Sequence, residues 1–578
     1  IITTDSSISS AGRYSTAFPL DDGTDRLLLA WNQCRLTVII EDVGTIQPCT
    51  AEFLSAENPV EAAPLSVLKI YDPGDNTEKP IVVPEEGIFY SEIVALQEKS
   101  VPPIIHDKTA GVGLDADLIS EGAGILHIRS VYDFAGVFDD MDNGSSGATS
   151  LAQIMDPTVT AVDDRSARFL RITKGVSLPD SNIDDLPQVP GNVLGADGQQ
   201  MREILGYTTI EPDGSVRVKV PANVAFIIGV LDKNGRRLGG RHKNWLVLRP
   251  GEEMQCRGCH TPTSLEPHGR LEAEPTALNS GAATDGVIFP NTDPAIFADM
   301  GETMAQALTR LQPDRLTLTM DILFEDLWTD ETIQVKEPDL SLQYDDINYT
   351  AMSSSAPTTD ACILQWSSAC RTVLNYEQHL QPLWTVERIV LDPADNTIVL
   401  SNHTCVACHH VEEADTPSIA LLDQLSVDCR NEDRLTETGL LSQLNLTDAD
   451  PTNPDDRYAS FLEIRAGGNE LAYVDGVLQQ RTVLVVDGQG APVFVDADGD
   501  GEADLDSDGN PIQATSTVGV GASTNASSGA RSSTGFFDMF EATGCHPGWL
   551  DEDELRVVSE WLDIGGQYYN NPFDVPQN

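Results

Sequence analysis

The sequence is poor in basic side chains. Its 578 residues include 35 Lys and Arg against 91 Asp and Glu, which gives a formal net charge of −56. A surface of this charge repels phosphate groups, so the composition argues against binding to nucleic acid or to an anionic membrane surface. Long apolar runs are also missing, since none approaches the ~20 residues of a membrane-spanning helix. The sequence therefore predicts neither a nucleic-acid partner nor a transmembrane segment.

The chain also lacks a recognisable export signal at its start. Ile1 opens a polar stretch rather than a basic and then apolar segment, which predicts a processed chain. Because 40% of the residues are hydrophobic, the acidic composition does not indicate disorder. The length predicts about three to four domains.

Four of the ten cysteines lie in two Cys-x-x-Cys-His motifs. Two thiols three positions apart can each bond a haem vinyl group, and the adjacent imidazole can then bind the iron. A zinc or redox dithiol site is the alternative, but a four-cysteine zinc site brings its pairs closer together in sequence. The motifs therefore predict two covalently bound haem c groups. Their residues are Cys256, Cys259 and His260 in the first motif, and Cys405, Cys408 and His409 in the second.

The haem motifs also predict the cellular compartment, and the compartment bears on the remaining six cysteines. Haem c is attached outside the cytoplasm, so we expect an extracytoplasmic protein, with the extracellular space or cell surface favoured over the periplasm. An even number of further cysteines in an oxidising compartment predicts disulfides, with buried thiols as the alternative. The expected pairs are Cys34–Cys49, Cys362–Cys370 and Cys429–Cys545.

Short alternating apolar runs between Asp, Gly and Pro turns predict β-strands through the first half of the chain. The clearest are 26–31, 65–71, 125–132, 167–173, 215–220 and 223–231. The predicted fold class is mainly β and multidomain, with a smaller α-helical, cytochrome c-like domain at the C-terminus. The predicted domains are a β-rich, partly propeller-like domain at 1–135, a β domain at 136–255, a largely irregular first haem-binding segment at 256–361 and the cytochrome c-like domain at 362–578.

Within the C-terminal domain, residues 552–563 predict a helix. Asp551 and Glu554 form a capping box before it, and Gly565 ends it. A second helix is expected around 298–311. An insertion at about 468–534 is expected to hold a hairpin of 481–486 with 493–495. The apolar stripe of the C-terminal helix, expected to face the core, comprises Leu555, Val558 and Leu562.

A haem iron takes a second axial ligand, His or Met, unless that position is left open for chemistry. His379 is flanked by apolar and aromatic residues that could wall a haem, and His546 stands just before the C-terminal helix. We expect these two histidines to be the distal ligands. Hydrogen-bonded structural histidines are the alternative, and His268 is the second choice for the first haem.

An Asp-rich run predicts a calcium site. Carboxylates at alternate positions with Gly501 at the sixth wrap a loop around a hard cation. Ser507 replaces the Glu expected at the twelfth position, so the run is closer to the Asp-rich loops of extracellular calcium modules than to an EF-hand. A solvated acidic turn is the alternative. The predicted ligands are Asp496, Asp498, Asp500, Glu502, Asp504, Asp506 and Asp508.

Segments between residues 200 and 573 resemble one family of multihaem cytochromes c, which includes the hydrazine synthase alpha subunit. The resemblance to that subunit is to its middle domain and extends to the C-terminal haem domain. Gly12–Trp31 is similar to a propeller blade of the kind that precedes the middle domain. The segments are Arg202–Tyr207, Glu211–Val216, Val220–Asn223, Leu231–Asp232, Pro250–Glu252, Cys370–Trp384 and Glu560–Phe573.

One position departs from this family. In hydrazine synthase the first alpha-subunit haem is catalytic and uses a Tyr four residues after the motif His. Ser264 stands at that place here, and serine cannot take the same role. The resemblance therefore implies haem sites and architecture, but not hydrazine synthesis.

These observations predict an extracytoplasmic dihaem cytochrome that transfers electrons. Two haems leave most of 578 residues as scaffold, which favours a subunit of a multi-subunit or filamentous assembly whose acidic surface steers redox partner proteins. No catalytic residue is assigned. The alternative is a haem redox enzyme with an open first haem that acts on nitrogen compounds or peroxide. A structural surface module with vestigial haems is the third interpretation.

Overall fold

The computed structural model divides the chain into two compact units, Ile1–Asp107 and Lys108–Asn578. Residues 108–135 thus belong to the second unit, and the finer predicted domain boundaries stay predictions. The structure describes residues 7–97, 107–176, 202–260, 276–407, 409, 435–436, 439–440, 444, 446–447, 458–466, 468–469, 471–474, 477–480, 482–485, 491–495, 503–505, 509–517, 519–520, 522, 524–526 and 528–570.

The first unit contains two antiparallel sheets and a short helix, Ala51–Leu54. A disulfide joins Cys34 to Cys49, as predicted. The four-stranded sheet has the order Arg13–Pro19, Leu27–Gln33, Leu65–Asp72 and Thr77–Val82. The three-stranded sheet has the order Val43–Pro48, Arg35–Ile40 and Val60–Glu61.

Two three-stranded sheets position the first haem motif in the second unit. The strand Ala123–Ile128 is buried along its whole length because it lies between two neighbours, one antiparallel and one parallel. One sheet has the order Val216–Pro221, Ala123–Ile128 and Glu253–Cys256, and the other has Arg202–Thr209, Phe169–Gly175 and Phe226–Leu231.

The rest of the second unit consists of short ladders and helices. The two-stranded ladders pair Thr109–Ala110 with Gly113–Leu114, Asp133–Phe134 with Val137–Phe138, Val287–Ile288 with Phe297–Ala298, Ile322–Phe324 with Leu340–Leu342, Ile389–Asp392 with Asp395–Asn402, Leu435–Thr436 with Gly439–Leu440, Gly468–Asn469 with Gly519–Val520, Leu471–Val474 with Val477–Gln480, and Thr482–Leu484 with Thr515–Thr517. The helices are Ala116–Glu121, Leu151–Ile154, Met304–Leu311, Asp360–Leu364, Gln381–Thr385, Ala459–Ala466, Thr534–Phe537 and Glu552–Ile564. The predicted mainly β, multidomain fold with some helices is confirmed.

The C-terminal helix (Glu552–Ile564) forms as predicted. Asp551 and Glu554 exchange side-chain and backbone hydrogen bonds in a capping box, and Gly565 ends the helix with a φ of 118°. Its burial differs from the predicted single stripe. Arg556 and Glu560 are also buried because they pair with each other at 2.8 Å inside the core.

Two predicted elements differ from the structure. The helix expected around 298–311 begins only at Met304, because Phe297–Ala298 pairs as a strand and Thr303 caps the helix. In the insertion, Thr482–Leu484 pairs with Thr515–Thr517 rather than with the nearby 493–495. Among the described residues of the two predicted arms, Val493 N donates to Val485 O at 3.0 Å.

The disulfide Cys362–Cys370 is present, as predicted. Cys545 is also disulfide-bonded, but its predicted partner Cys429 lies outside the described residues. Within the described parts of the chain, no helix is both long enough and apolar enough to cross a membrane.

Candidate haem-binding sites

The first haem motif continues a strand. Glu253–Cys256 runs parallel to Ala123–Ile128, and the hydrogen bonding extends beyond both strands. Arg129 N donates to Cys256 O at 2.8 Å, and Cys259 N donates to Asp133 O at 2.7 Å. The backbone of the motif is therefore held in place by the neighbouring chain segment.

The glycine of the first motif stands where no side chain fits. A Cβ on Gly258 would lie 2.2 Å from the carbonyl oxygen of Asp133, so this close approach requires glycine. Burial raises the pKa of the Cys259 thiol to about 12, which keeps it protonated at neutral pH.

A histidine outside the predicted set lies near the first motif. Burial lowers the pKa of His242, a hydrogen bond with the Asn244 backbone partly offsets this, and the charge of the nearby His260 lowers it further. The Nδ1 atom of His242 is buried without a hydrogen-bond partner, and an iron would satisfy such an atom. His242 is therefore a further candidate for the distal ligand of the first haem. Sequence spacing does not point to it, because only the fold brings it to His260; His268 lies outside the described residues.

The second motif is anchored to the C-terminal helix. Cys405 is buried and begins a helical turn, Cys405–Ala407, and His409 N donates to Cys405 O at 2.9 Å. Just before the turn, the Thr404 hydroxyl accepts a hydrogen bond from Arg388 N at 2.8 Å. The Arg388 guanidinium pairs with Glu554 of the capping box. Cys408 lies outside the described residues.

His546 lies close to His409. The two imidazole ring centres are 6.1 Å apart, with their planes inclined by 49°. A metal bound between two imidazole nitrogens at about 2 Å each places the ring centres about 6 Å apart. The separation therefore fits one iron held by both histidines. That His546 is a distal ligand stays a prediction.

Aromatic rings enclose His546. Its ring centre lies 4.7 Å from Trp549 and 6.0 Å from Phe540, and His403 stacks on the Trp549 ring at 4.7 Å. Burial lowers the pKa of His546 to about 4, so the ring is neutral at pH 7, the form that binds a metal. Its Nδ1 atom is buried without a hydrogen-bond partner. The residues present therefore fit a haem at the second motif.

His379 lies in a π-helical turn, Tyr376–Leu380, an element common at functional sites. Its Nδ1 atom is 2.9 Å from Asn375 N and 3.2 Å from Asn375 O, which leaves Nε2 as the nitrogen for a metal. Burial lowers its pKa to about 4. Among the described ring contacts, none joins His379 to His260 or His409. Its role as a distal ligand stays a prediction.

The predicted calcium run lies almost entirely outside the described residues. Asp504 is the described member, and its backbone N donates to Val495 O at 2.8 Å. In the described parts of the chain, no group of three or more His, Cys, Asp or Glu is placed to hold a metal ion. The calcium site therefore stays a prediction.

Comparison with known proteins places one segment in context. Residues 167–261 match the family model of the hydrazine synthase alpha subunit middle domain. No curated protein matches the chain. Among solved structures, Kuenenia stuttgartiensis hydrazine synthase matches at 16% identity with a TM-score of 0.30. The match covers 98% of this chain and 57% of that chain, so this chain spans little more than half of its length.

The family match bears directly on the first haem motif. The matched residues include the strands Phe169–Gly175 and Glu253–Cys256, and they end one position after His260. The resemblance predicted from the sequence is thus confirmed for this part of the chain. Residues 167–261, which lead into the first haem motif, resemble the middle domain of the hydrazine synthase alpha subunit.

Proposed function

We propose that the protein is an extracytoplasmic dihaem c-type cytochrome that carries electrons within a multi-subunit or filamentous assembly. The separation of 6.1 Å between the His409 and His546 rings carries this proposal. An iron held from both sides has no open position for a substrate, so it passes single electrons instead. Localisation at the cell surface or in the extracellular space follows from haem attachment and belongs to the same proposal.

Each haem would take its own ligands from the chain. At the first site Cys256 and Cys259 would hold the haem and His260 its iron, with His242, His379 or His268 as the second ligand. At the second site the corresponding residues are Cys405, Cys408, His409 and His546. Calcium at the Asp-rich run would neutralise part of the net charge of −56 and stabilise the insertion; a chelator should therefore lower its melting temperature.

An exposed apolar hairpin is evidence for the proposed multi-subunit or filamentous assembly. Ile389–Asp392 pairs with Asp395–Asn402 immediately before the second motif. Apolar side chains are exposed on both of its strands, which is unusual for a surface that faces only water. Paired against another subunit, this hairpin would bring a partner close to the second haem. The exposed side chains are Ile389, Val390, Leu391, Ile398, Val399 and Leu400, each 41–55% exposed.

A haem redox enzyme is the second candidate function. The resemblance of residues 167–261 to hydrazine synthase favours it, because the matched segment leads into the first motif. In that case the first iron would keep one open position and act on a nitrogen compound or peroxide.

The proposed function is tested by counting haems in the full chain produced with haem-attachment machinery. We expect the intact mass to exceed that of the polypeptide by two haems. The Cys405→Ala/Cys408→Ala variant should keep one haem, and so should the matched Cys256→Ala/Cys259→Ala variant. Both haems of the parent protein should be reduced and reoxidised reversibly. A protein that carries no haem, or turnover of hydroxylamine or peroxide at the first haem, would contradict the proposal.

A further inference from the structure

Four arginines converge near the end of the C-terminal helix. Asp563 accepts a hydrogen bond from Arg171 Nη2 at 2.7 Å and from the backbone N of Arg237 at 3.1 Å. Arg241 Nη2 donates to the carbonyl oxygen of Asp563 at 2.9 Å. Arg202 is close enough to Arg237 and Arg241 for their charges to interact. Arg171, Arg202, Arg237 and Arg241 form what we call the arginine cluster.

Three members of the cluster, Arg171, Arg237 and Arg241, bring three positive charges to the single negative charge of Asp563. Among the described carboxylates, only Asp563 lies within ion-pair distance of Arg171 and Arg237, at 2.7 and 3.8 Å. Burial, and then the charge of Arg237, lower the pKa of Arg202 to about 10. Such a surplus stands out in a chain whose formal net charge is −56.

Several buried N–H groups of the cluster make no hydrogen bond. Arg171 Nη1, Arg237 Nε, and both Nε and Nη1 of Arg241 are buried without a hydrogen-bond partner. The side chains of Arg171 and Arg237 are only 3% and 4% exposed. Buried cationic donors without acceptors are costly. An oxyanion would satisfy them, since guanidinium groups match the geometry of carboxylate and phosphate.

The cluster adjoins the first haem motif. Arg241 directly precedes His242 in the chain. His242 in turn lies close enough to His260 for their charges to interact. A haem carries two propionate carboxylates, which are oxyanions that need buried cationic partners when they leave water.

We propose that the arginine cluster is an oxyanion site filled by the propionate carboxylates of the haem attached at Cys256 and Cys259. This inference rests on the proposed function, because it requires that haem. Reduction adds one negative charge to the haem, and nearby guanidinium groups stabilise that charge. The cluster therefore raises the reduction potential of the first haem.

The test compares midpoint potentials of the full dihaem protein and of Arg241→Gln. Arg241 is the best position, because its described hydrogen bonds go to the backbone carbonyls of Ala526 and Asp563 and not to the side chain of Asp563. One of the two midpoint potentials should fall in Arg241→Gln and be restored in Arg241→Lys. The Cys405→Ala/Cys408→Ala variant identifies it as the first haem. The control Arg249→Gln removes the same charge from a side chain that is 68% exposed, and should leave both midpoints unchanged.

The outcomes separate the proposals. A first-haem midpoint that is unchanged in Arg241→Gln, or equally lowered in Arg249→Gln, overturns the oxyanion site while two haems by mass leave the proposed function intact. Titration with inorganic phosphate at constant ionic strength distinguishes the source of the oxyanion. With propionates in place, phosphate should not change the midpoint or melting temperature of the parent protein. A phosphate-dependent shift that is lost in Arg241→Gln would overturn the propionate assignment in favour of a free oxyanion.

Discussion

The two haem motifs are held by different kinds of structure. The first continues the strand Glu253–Cys256 and is fixed by backbone hydrogen bonds to the segment around Asp133. The second begins a helical turn that is tied to the C-terminal helix through Arg388 and Glu554. Hydrogen bonds along a sheet edge position the first motif, whereas side-chain packing positions the second. The second site is therefore the more sensitive to side-chain substitution.

The charges around the two motifs differ as well. Near the first motif, Arg171, Arg237 and Arg241 surround Asp563, the described carboxylate with which Arg171 and Arg237 form ion pairs. At the second motif, Arg388 is paired with Glu554, and aromatic rings surround His546. We therefore expect the first haem to have the higher reduction potential, which would direct an electron from the second haem to the first.

The largest expected effect is on the second haem. His546→Ala removes the imidazole that faces His409 at 6.1 Å, so the second iron should change almost completely from low-spin to high-spin, as measured by ferric optical spectra. His403→Ala is the matched control. It removes a nearby histidine that stacks on Trp549, and it should leave the spin state unchanged. Low-spin spectra in His546→Ala would show that another residue, such as His379, binds this iron.

The second prediction concerns His242, the candidate distal ligand that only the fold brings near His260. His242→Ala should make the first iron high-spin, because the ring lies near His260 and its Nδ1 atom is buried without a hydrogen-bond partner. His268→Ala and His379→Ala should leave it low-spin. If either of those variants changes the spectrum and His242→Ala does not, the ligand predicted from sequence is the correct one.

The free energy of unfolding should depend on pH through the carboxyl group of Glu211. Burial raises the pKa of Glu211 from its usual 4.5 to about 7, although Trp328 Nε1 donates to it at 2.5 Å. The neutral carboxyl is the form that burial favours, so stability is fully present below pH 4.5 and is lost as the pH rises through 7. Glu211→Gln should therefore be more stable than the parent protein by about 3 kcal/mol at pH 8, and similar to it at pH 4.

Thermal unfolding at the two pH values measures this difference. Glu253→Gln is the control, because its side chain is 40% exposed and its substitution should not produce the same pH-dependent gain. A Glu211→Gln protein that melts at the same temperature as the parent at pH 8 would contradict the expected cost of burying the charged carboxylate.

The smallest expected effect is at the start of the C-terminal helix. Asp551→Ala removes one half of the capping box and should lower the free energy of unfolding by about 1 kcal/mol. Glu552→Ala, at the next exposed position, should cost less because Glu552 caps no backbone N–H. Equal losses in chemical denaturation would mean that the helix is held by packing alone, without help from its cap.

Local chemistry made much of the fold predictable. The capping box at Asp551 and the glycine at 565 mark the ends of the C-terminal helix in the sequence, and both are present. The alternation of apolar residues likewise marks the strands 216–221 and 226–231. Burial of Arg556 and Glu560 could not be predicted, because charged residues belong in a core only when a partner from elsewhere in the fold reaches them.

The candidate haem sites were likewise predictable from local sequence only in part. Two Cys-x-x-Cys-His motifs are visible in any reading of the sequence, and so is a histidine such as His546 placed just before a capped helix. The approach of His242 to His260 and of three arginines to Asp563 depends on long-range contacts that no spacing records. The pairing of Thr482–Leu484 with Thr515–Thr517 was missed for the same reason.

Electron paramagnetic resonance of the oxidised full-length protein tests the central claim most directly, because the spectrum separates irons with two protein ligands from irons with an open position. We expect low-spin signals only, integrating to two haems per chain, and no change on addition of hydroxylamine or peroxide. A high-spin signal from the first haem, shifted by either compound and lost in the His260→Ala variant, would contradict electron transfer and support the enzyme instead.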